Sequence, residues 1–118
     1  MITVFGSKVG KEEIASVTSV MEQQWMGFGK KVDNFEDAFS KKFNVPNFIM
    51  VDSGSNALYM AVSLLNLPKG SEIIVPSFTW VSCAQAVLIA GMKPVFCDVD
   101  ISSMNVTAET IATKITPN

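Results

Sequence analysis

Apolar positions fall into two regimes along this chain. In the first third they recur with helical spacing. Ile14, Val17 and Met21 stand at i, i+3 and i+7, with Glu13, Ser16 and Glu22 between them, which predicts a helix over about Glu12 to Gln24. Trp25-Met26-Gly27-Phe28-Gly29 follows as a loop, its two glycines breaking the helix and permitting positive φ. A second stripe of Val32, Phe35, Phe39 and Phe43 predicts a helix from about Val32 to Phe43. Its acids come early and Lys41 and Lys42 late, as the helix dipole favours.

Beyond residue 47 short apolar runs alternate with turns. Phe48 to Val51 reads as a strand, and Asp52 to Asn56 as a turn. Ala57 to Leu65 reads as a nearly all-apolar helix, expected to be buried on most sides. Ile73-Ile74-Val75, closed by Pro76, is a second strand; Phe78 to Ala90 is a helix; Val95-Phe96-Cys97 is a third strand. Turns at Pro68 to Ser71 and Gly91 to Pro94 separate them. Thr107 suits the cap of a last helix, Ala108 to Ile115. This alternation predicts an α/β fold: a helical N-terminus, then βαβαβ units with a parallel sheet. The strands lack polar alternation, so both sheet faces are expected to be covered. The last helix stands where such a pattern would supply another strand, so the 118 residues read as an incomplete domain.

Composition narrows the chemistry. Nine basic residues, all lysine, and eleven acidic ones give a net charge of −2, with no histidine. Histidine-ligated zinc, Ser-His-Asp triads and arginine forks are therefore excluded from this chain. A pI near 5.0 without a basic stripe argues against a nucleic-acid partner. Charged residues are 17%, below the roughly 25% of a typical domain. Mean hydropathy is +0.32, as for an interior layer of a larger fold. No apolar run reaches the roughly 18 residues of a membrane span, and no signal peptide is visible. Cys83 and Cys97 match no metal or redox spacing and read as plain buried or half-buried thiols.

Several motifs have residues that could carry chemistry. Gly6 to Glu12 resembles a nucleotide loop, but its glycine spacing is one residue short and Glu12 replaces the metal-binding hydroxyl. Asp98 and Asp100 read as one solvated and one turn carboxylate rather than a metal pair. Ser53-Gly54-Ser55-Asn56-Ala57 is stronger, because it follows a strand and opens a helix. Free amides of Ser55, Asn56 and Ala57 would form an anion site there. An ordinary helix cap by Ser53 or Ser55 is the plainer alternative. Pro76-Ser77-Phe78-Thr79-Trp80 follows the next strand at the same carboxyl edge, where α/β sheets bind ligands. Trp80 is either a stacking face or a core tryptophan. Together the two segments suggest a phosphate cup beside an aromatic platform.

Four motifs in order carry a family resemblance. They are Gly-x-x-Val-x-x-Phe-Glu at Gly29 to Glu36 and Ser-Gly-Ser-Asn-Ala-Leu at Ser53 to Leu58. Val-Pro-Ser-Phe-Thr-Trp-Val-Ser at Val75 to Ser82 and Gly-x-x-Pro-Val-Phe-x-Asp-Val-Asp at Gly91 to Asp100 complete the set. The chain resembles the start of the DegT-type nucleotide-sugar aminotransferases, which use pyridoxal 5'-phosphate on the aspartate-aminotransferase fold.

The resemblance implies that residues 1–118 are an N-terminal portion of the large domain. It assigns Gly54, Ser55 and Asn56 to the cofactor phosphate and Trp80 to the pyridine ring. It assigns the loop containing Trp25, Gly29 and Lys30 to the substrate side, although Phe28 stands where a small hydroxyl residue is common. No catalytic residue is implied within the chain, because the family's cofactor-bonding lysine and ring-pairing aspartate fall in motifs not found here. It further implies a cytoplasmic homodimer serving polysaccharide biosynthesis, with a nucleotide-sugar substrate and an amino-acid donor, glutamate in the first place. Alternatives are a sugar dehydratase on the same fold, with histidine for the lysine, and a non-catalytic binding or self-assembly module. In the family's sheet order the first strand is separated from the next two by strands supplied later. Apolar sheet edges and helix faces are therefore expected to lie open in these 118 residues.

Overall fold

The computed structural model describes residues 6–117, and two compact units meet after Met50. The first contains α1 (Lys11–Glu22) and α2 (Lys30–Phe43). Glu13 starts α1 by reaching back to the Gly10 N–H at 2.6 Å. Its own backbone amide first, and then that bond, hold the Glu13 carboxyl below its ordinary value. α2 ends at Asn44, whose left-handed φ of 52° turns the chain back. Phe48 then stacks on Phe39 at 4.0 Å between ring centroids, and Phe35 and Phe43 complete an aromatic row. No residue from 6 to 50 is buried, so Ile14, Val17 and Met21 form the expected stripe but nothing covers it.

The expected strand at Phe48 to Val51 is not formed. Among the described residues it has no ladder partner, and the Met50 N–H donates instead to Glu36 Oε1 at 2.7 Å. An apolar run becomes a strand only when a neighbour takes its backbone groups.

The second unit contains α3 (Gly54–Leu64), β1 (Glu72–Pro76), α4 (Ser82–Ile89), β2 (Lys93–Cys97) and α5 (Ala108–Ala112). β1 and β2 pair in parallel, from Glu72 opposite Lys93 to Pro76 opposite Cys97, with α4 as the crossover. Hydrogen bonds from the Lys93 N–H to Ser71 O and from the Ser77 N–H to Cys97 O close the two ends of the ladder. Gly70 and Gly91 have positive φ in the turns that lead into the two strands, and the Gly70 N–H bonds the Gly91 carbonyl. The core is Val75, Val87 and Met92, flanked by Val62, Ile73, Cys83, Ala84 and Ala90. Cys97 is fully buried and Cys83 partly so, both as free thiols.

Four expectations change in this unit. α3 is as apolar as predicted but has no buried residue: it packs chiefly against α4, and Leu64 is 79% exposed. The sheet is not covered throughout, because Phe96 remains exposed on β2. α4 starts at Ser82 rather than Phe78, which leaves Phe78, Thr79 and Trp80 in the turn after β1. α5 has the expected cap, with Thr107 and Thr110 exchanging side-chain and backbone bonds, but ends at Ala112. No helix among the described residues is long and apolar enough to cross a membrane.

Candidate functional site

The start of α3 is set by Ser53, which is extended and outside the helix. Its Oγ accepts the Asn56 N–H at 3.2 Å, and its carbonyl accepts the Ala57 N–H at 3.0 Å. Asn56 is fixed further by its Nδ2, which donates to Asp52 Oδ1 at 2.7 Å. The amides of Asn56 and Ala57 are therefore spent on the cap, which corrects the expectation that they face a ligand. Those of Gly54 and Ser55 bond no acceptor among the described residues. A Cβ on Gly54 would meet nothing within 4 Å, so the space before these amides is open. Two uncommitted N–H groups at the positive end of an eleven-residue helix fit an anion such as a phosphate.

Ser55 joins this turn to the next helix, with its Oγ 2.7 Å from Ser82 Oγ at the start of α4. A cavity of about 210 Å³ lies between the two helices, lined by Ser55, Asn56, Tyr59, Ser82 and Gln85 among others. Trp80 stands two residues before Ser82, so the two Cα atoms lie within about 7 Å of each other. Its carbonyl accepts the Cys83 N–H at 3.0 Å, while the residue is 67% exposed. The reading of Trp80 as a core tryptophan is thus set aside, and the indole presents an open aromatic surface at the carboxyl end of β1. Gly54, Ser55, Asn56 and Trp80 share one end of the second unit. Ser82 was not singled out by the sequence. Its signals were its place at the end of the Val75 to Ser82 motif and a hydroxyl at the start of a mostly apolar helix.

Trp25, Gly29 and Lys30 come together within the first unit. The Trp25 indole N–H donates to the Phe28 carbonyl at 2.8 Å, folding the ring over the loop. Gly29 is needed for that approach, since a Cβ there would fall 2.8 Å from Trp25 Nε1. Its φ of −163° is extended, and the positive φ expected of the loop glycines is found at Gln24 instead. The loop borders a cavity of about 410 Å³ lined by Trp25, Phe28, Gly29, Lys30 and Lys31 among others. Lys30 and Lys31 open α2 at its positive end, where stability alone would favour acids. Among the described residues no group of three or more His, Cys, Asp or Glu side chains is placed to hold a metal ion.

Comparison with known proteins gives the family and the fold. The dTDP-4-dehydro-2,3,6-trideoxy-D-glucose 4-aminotransferase of Saccharopolyspora spinosa is 34% identical over 119 residues, covering 99% of this chain and 31% of that protein. The aminotransferase TlmJ of Streptoalloteichus hindustanus superposes with a TM-score of 0.85 at 32% identity, over 99% of this chain and 32% of its own. GDP-4-keto-6-deoxy-D-mannose-3-dehydratase of E. coli, solved with bound hydrated PLP, gives 0.85 at 29% identity, over 95% and 30%. The chain therefore spans about a third of the length of these relatives and has the fold of the corresponding part of these proteins. Residues 7–118 match the model of one family, and the chain belongs to it: the DegT/DnrJ/EryC1/StrS aminotransferases.

Proposed function

We propose that residues 1–118 form the N-terminal portion of the large domain of a pyridoxal 5'-phosphate-dependent sugar aminotransferase. The complete enzyme would move an amino group from an amino acid, glutamate in the first place, to a keto-sugar nucleotide in polysaccharide biosynthesis. The observation that carries this reading is the pairing of open first-turn amides at Gly54 and Ser55 with the exposed Trp80 at the same end of the unit.

In this reading Gly54, Ser55 and Asn56 hold the cofactor phosphate. The amides of the first two bind it, and Asn56, anchored to Asp52, keeps the turn in place. Trp80 would offer its indole face to the pyridine ring and shield that side from water. When bound, the cofactor supplies the electron sink for amino-group transfer. Trp25, Gly29 and Lys30 serve the nucleotide sugar: Lys30, with Lys31 beside it, offers cations to a diphosphate, and Gly29 lets the Trp25 ring close over the loop. The enzyme would act as a cytoplasmic homodimer. None of the nine lysines falls in the family's cofactor-bonding motif, so this chain by itself is expected to show no transaminase turnover.

The test is a titration of the chain with pyridoxal 5'-phosphate, followed by tryptophan fluorescence. Saturable quenching is expected in the wild type and in Trp25→Ala, and its loss in Trp80→Ala. Quenching that survives Trp80→Ala, or never saturates, overturns the reading. The likeness to the E. coli dehydratase favours a second reading, a sugar dehydratase. The same cup and ring platform would serve it, with histidine in place of lysine in a motif this chain lacks.

A further inference from the structure

Ser82 is the one buried polar side chain among the described residues, 5% exposed in an otherwise apolar layer. It sits beside the core formed by Val75, Val87 and Met92, and its Oγ has one partner, Ser55 Oγ, at 2.7 Å. A hydroxyl both donates and accepts, so this pair has two proton orders. If Ser55 donates to Ser82, its proton is turned inward and its oxygen presents lone pairs to the space before α3. If Ser82 donates, the Ser55 proton is released toward that space. An anion there only accepts, so it selects the second order, and the chained hydroxyls polarise each other.

We propose that Ser82 is a positioning residue for the anion cup. From beneath, it donates to Ser55 and so turns the Ser55 hydroxyl outward as a third donor beside the amides of Gly54 and Ser55. The inference rests on the phosphate reading above and adds to it a residue that never touches the phosphate. A purely structural Ser82 would instead tie α3 to α4 and have no influence on which ligands bind.

The two roles separate in the selectivity for a phosphate. The probes are pyridoxine 5'-phosphate and pyridoxine, which lack the aldehyde that would react with surface lysines. Binding to the 118-residue chain is followed by tryptophan fluorescence. Ser82→Ala is expected to lower the preference for the phosphorylated probe about three- to tenfold, the effect of one net hydrogen bond, with pyridoxine binding unchanged. Ser55→Ala should lower it at least as much. The double variant should lose no more than Ser55→Ala alone, because Ser82 acts through Ser55. Ser82→Thr, which keeps the hydroxyl, should retain most of the preference. A Ser82→Ala chain that melts at a lower temperature with its preference intact overturns the proposal in favour of the structural role. A wild-type chain that binds both probes equally overturns the phosphate reading itself, and the proposal with it.

Discussion

The two units differ in composition and reach different ends: twelve of the chain's twenty charged residues fall between residues 6 and 50. Residues 6–50 form two amphipathic helices and an aromatic row, and bury nothing. Residues 51–117 hold Val75, Ala86, Val87, Met92 and Cys97 away from water. Part of the difference lies in the backbone. In the second unit a parallel pair of strands spends its polar groups on each other, and α4 can close over one face. In the first unit the only extended apolar segment finds a carboxylate, Glu36, and no strand. Each unit carries its own candidate segment. The proposed phosphate cup is built on helices beside a packed core, whereas the Trp25 loop rests on one indole hydrogen bond and a glycine.

This contrast is sharpest in core truncations. Met92→Ala should cost about 3 kcal/mol in chemical denaturation, as a buried methionine leaves a cavity. Phe39→Ala removes a larger side chain from a half-exposed row and should cost less, about 1–2 kcal/mol. Equal costs would mean that the first unit has a core of its own. Amide exchange should agree, with protection in β1, α4 and β2 above that of α1 and α2.

A smaller effect distinguishes the cup. Ser53→Ala removes the cap of α3 and should cost about 1 kcal/mol. It should also weaken binding of the phosphorylated probe, since the start of the helix frays. For the loop, Gly29→Ala forces the Trp25 ring away from Phe28 O and should cost about 0.5–1.5 kcal/mol, one net hydrogen bond. In a Trp80→Phe background its emission should shift to the red. An unshifted emission would mean that the loop is held by more than that contact.

The smallest effect is an acid-side one in the second unit. Lys93, opposite in register at 2.6 Å, and then Thr116 hold the Glu72 carboxyl below its ordinary value of 4.5. A carboxyl lowered in the folded state contributes stability above its unfolded value and loses it as pH falls through the lowered one. Stability should therefore drop below pH 4.5, and Glu72→Gln should flatten part of that slope. The pair is exposed on the lysine side, so the change is expected to be slight.

Much of this was legible in the residues. The helical stripes predicted α1 and α2, the Thr107 cap was found as expected, and Ile73 to Val75 and Val95 to Cys97 formed strands. These elements rest on local spacing and turn chemistry. The four motifs were enough to point to the family, because they are short runs whose neighbours in sequence are also their neighbours in space. Apart from the ends of α4 and α5, the failures depended on what lay opposite. Phe48 to Val51 has strand composition without a strand partner, and α3 has core composition without a cover.

The sequence by itself determined which segments become helices, which apolar runs form the parallel pair, and which residues follow the carboxyl ends of those strands. Tertiary structure alone decided how the polar groups there are shared. It gave the Asn56 and Ala57 amides to Ser53, left those of Gly54 and Ser55 open, and set the Ser82 hydroxyl beneath Ser55. Hydrogen-bond capacity is a matter of competition between groups brought within about 3 Å, and only the folded chain says which groups compete.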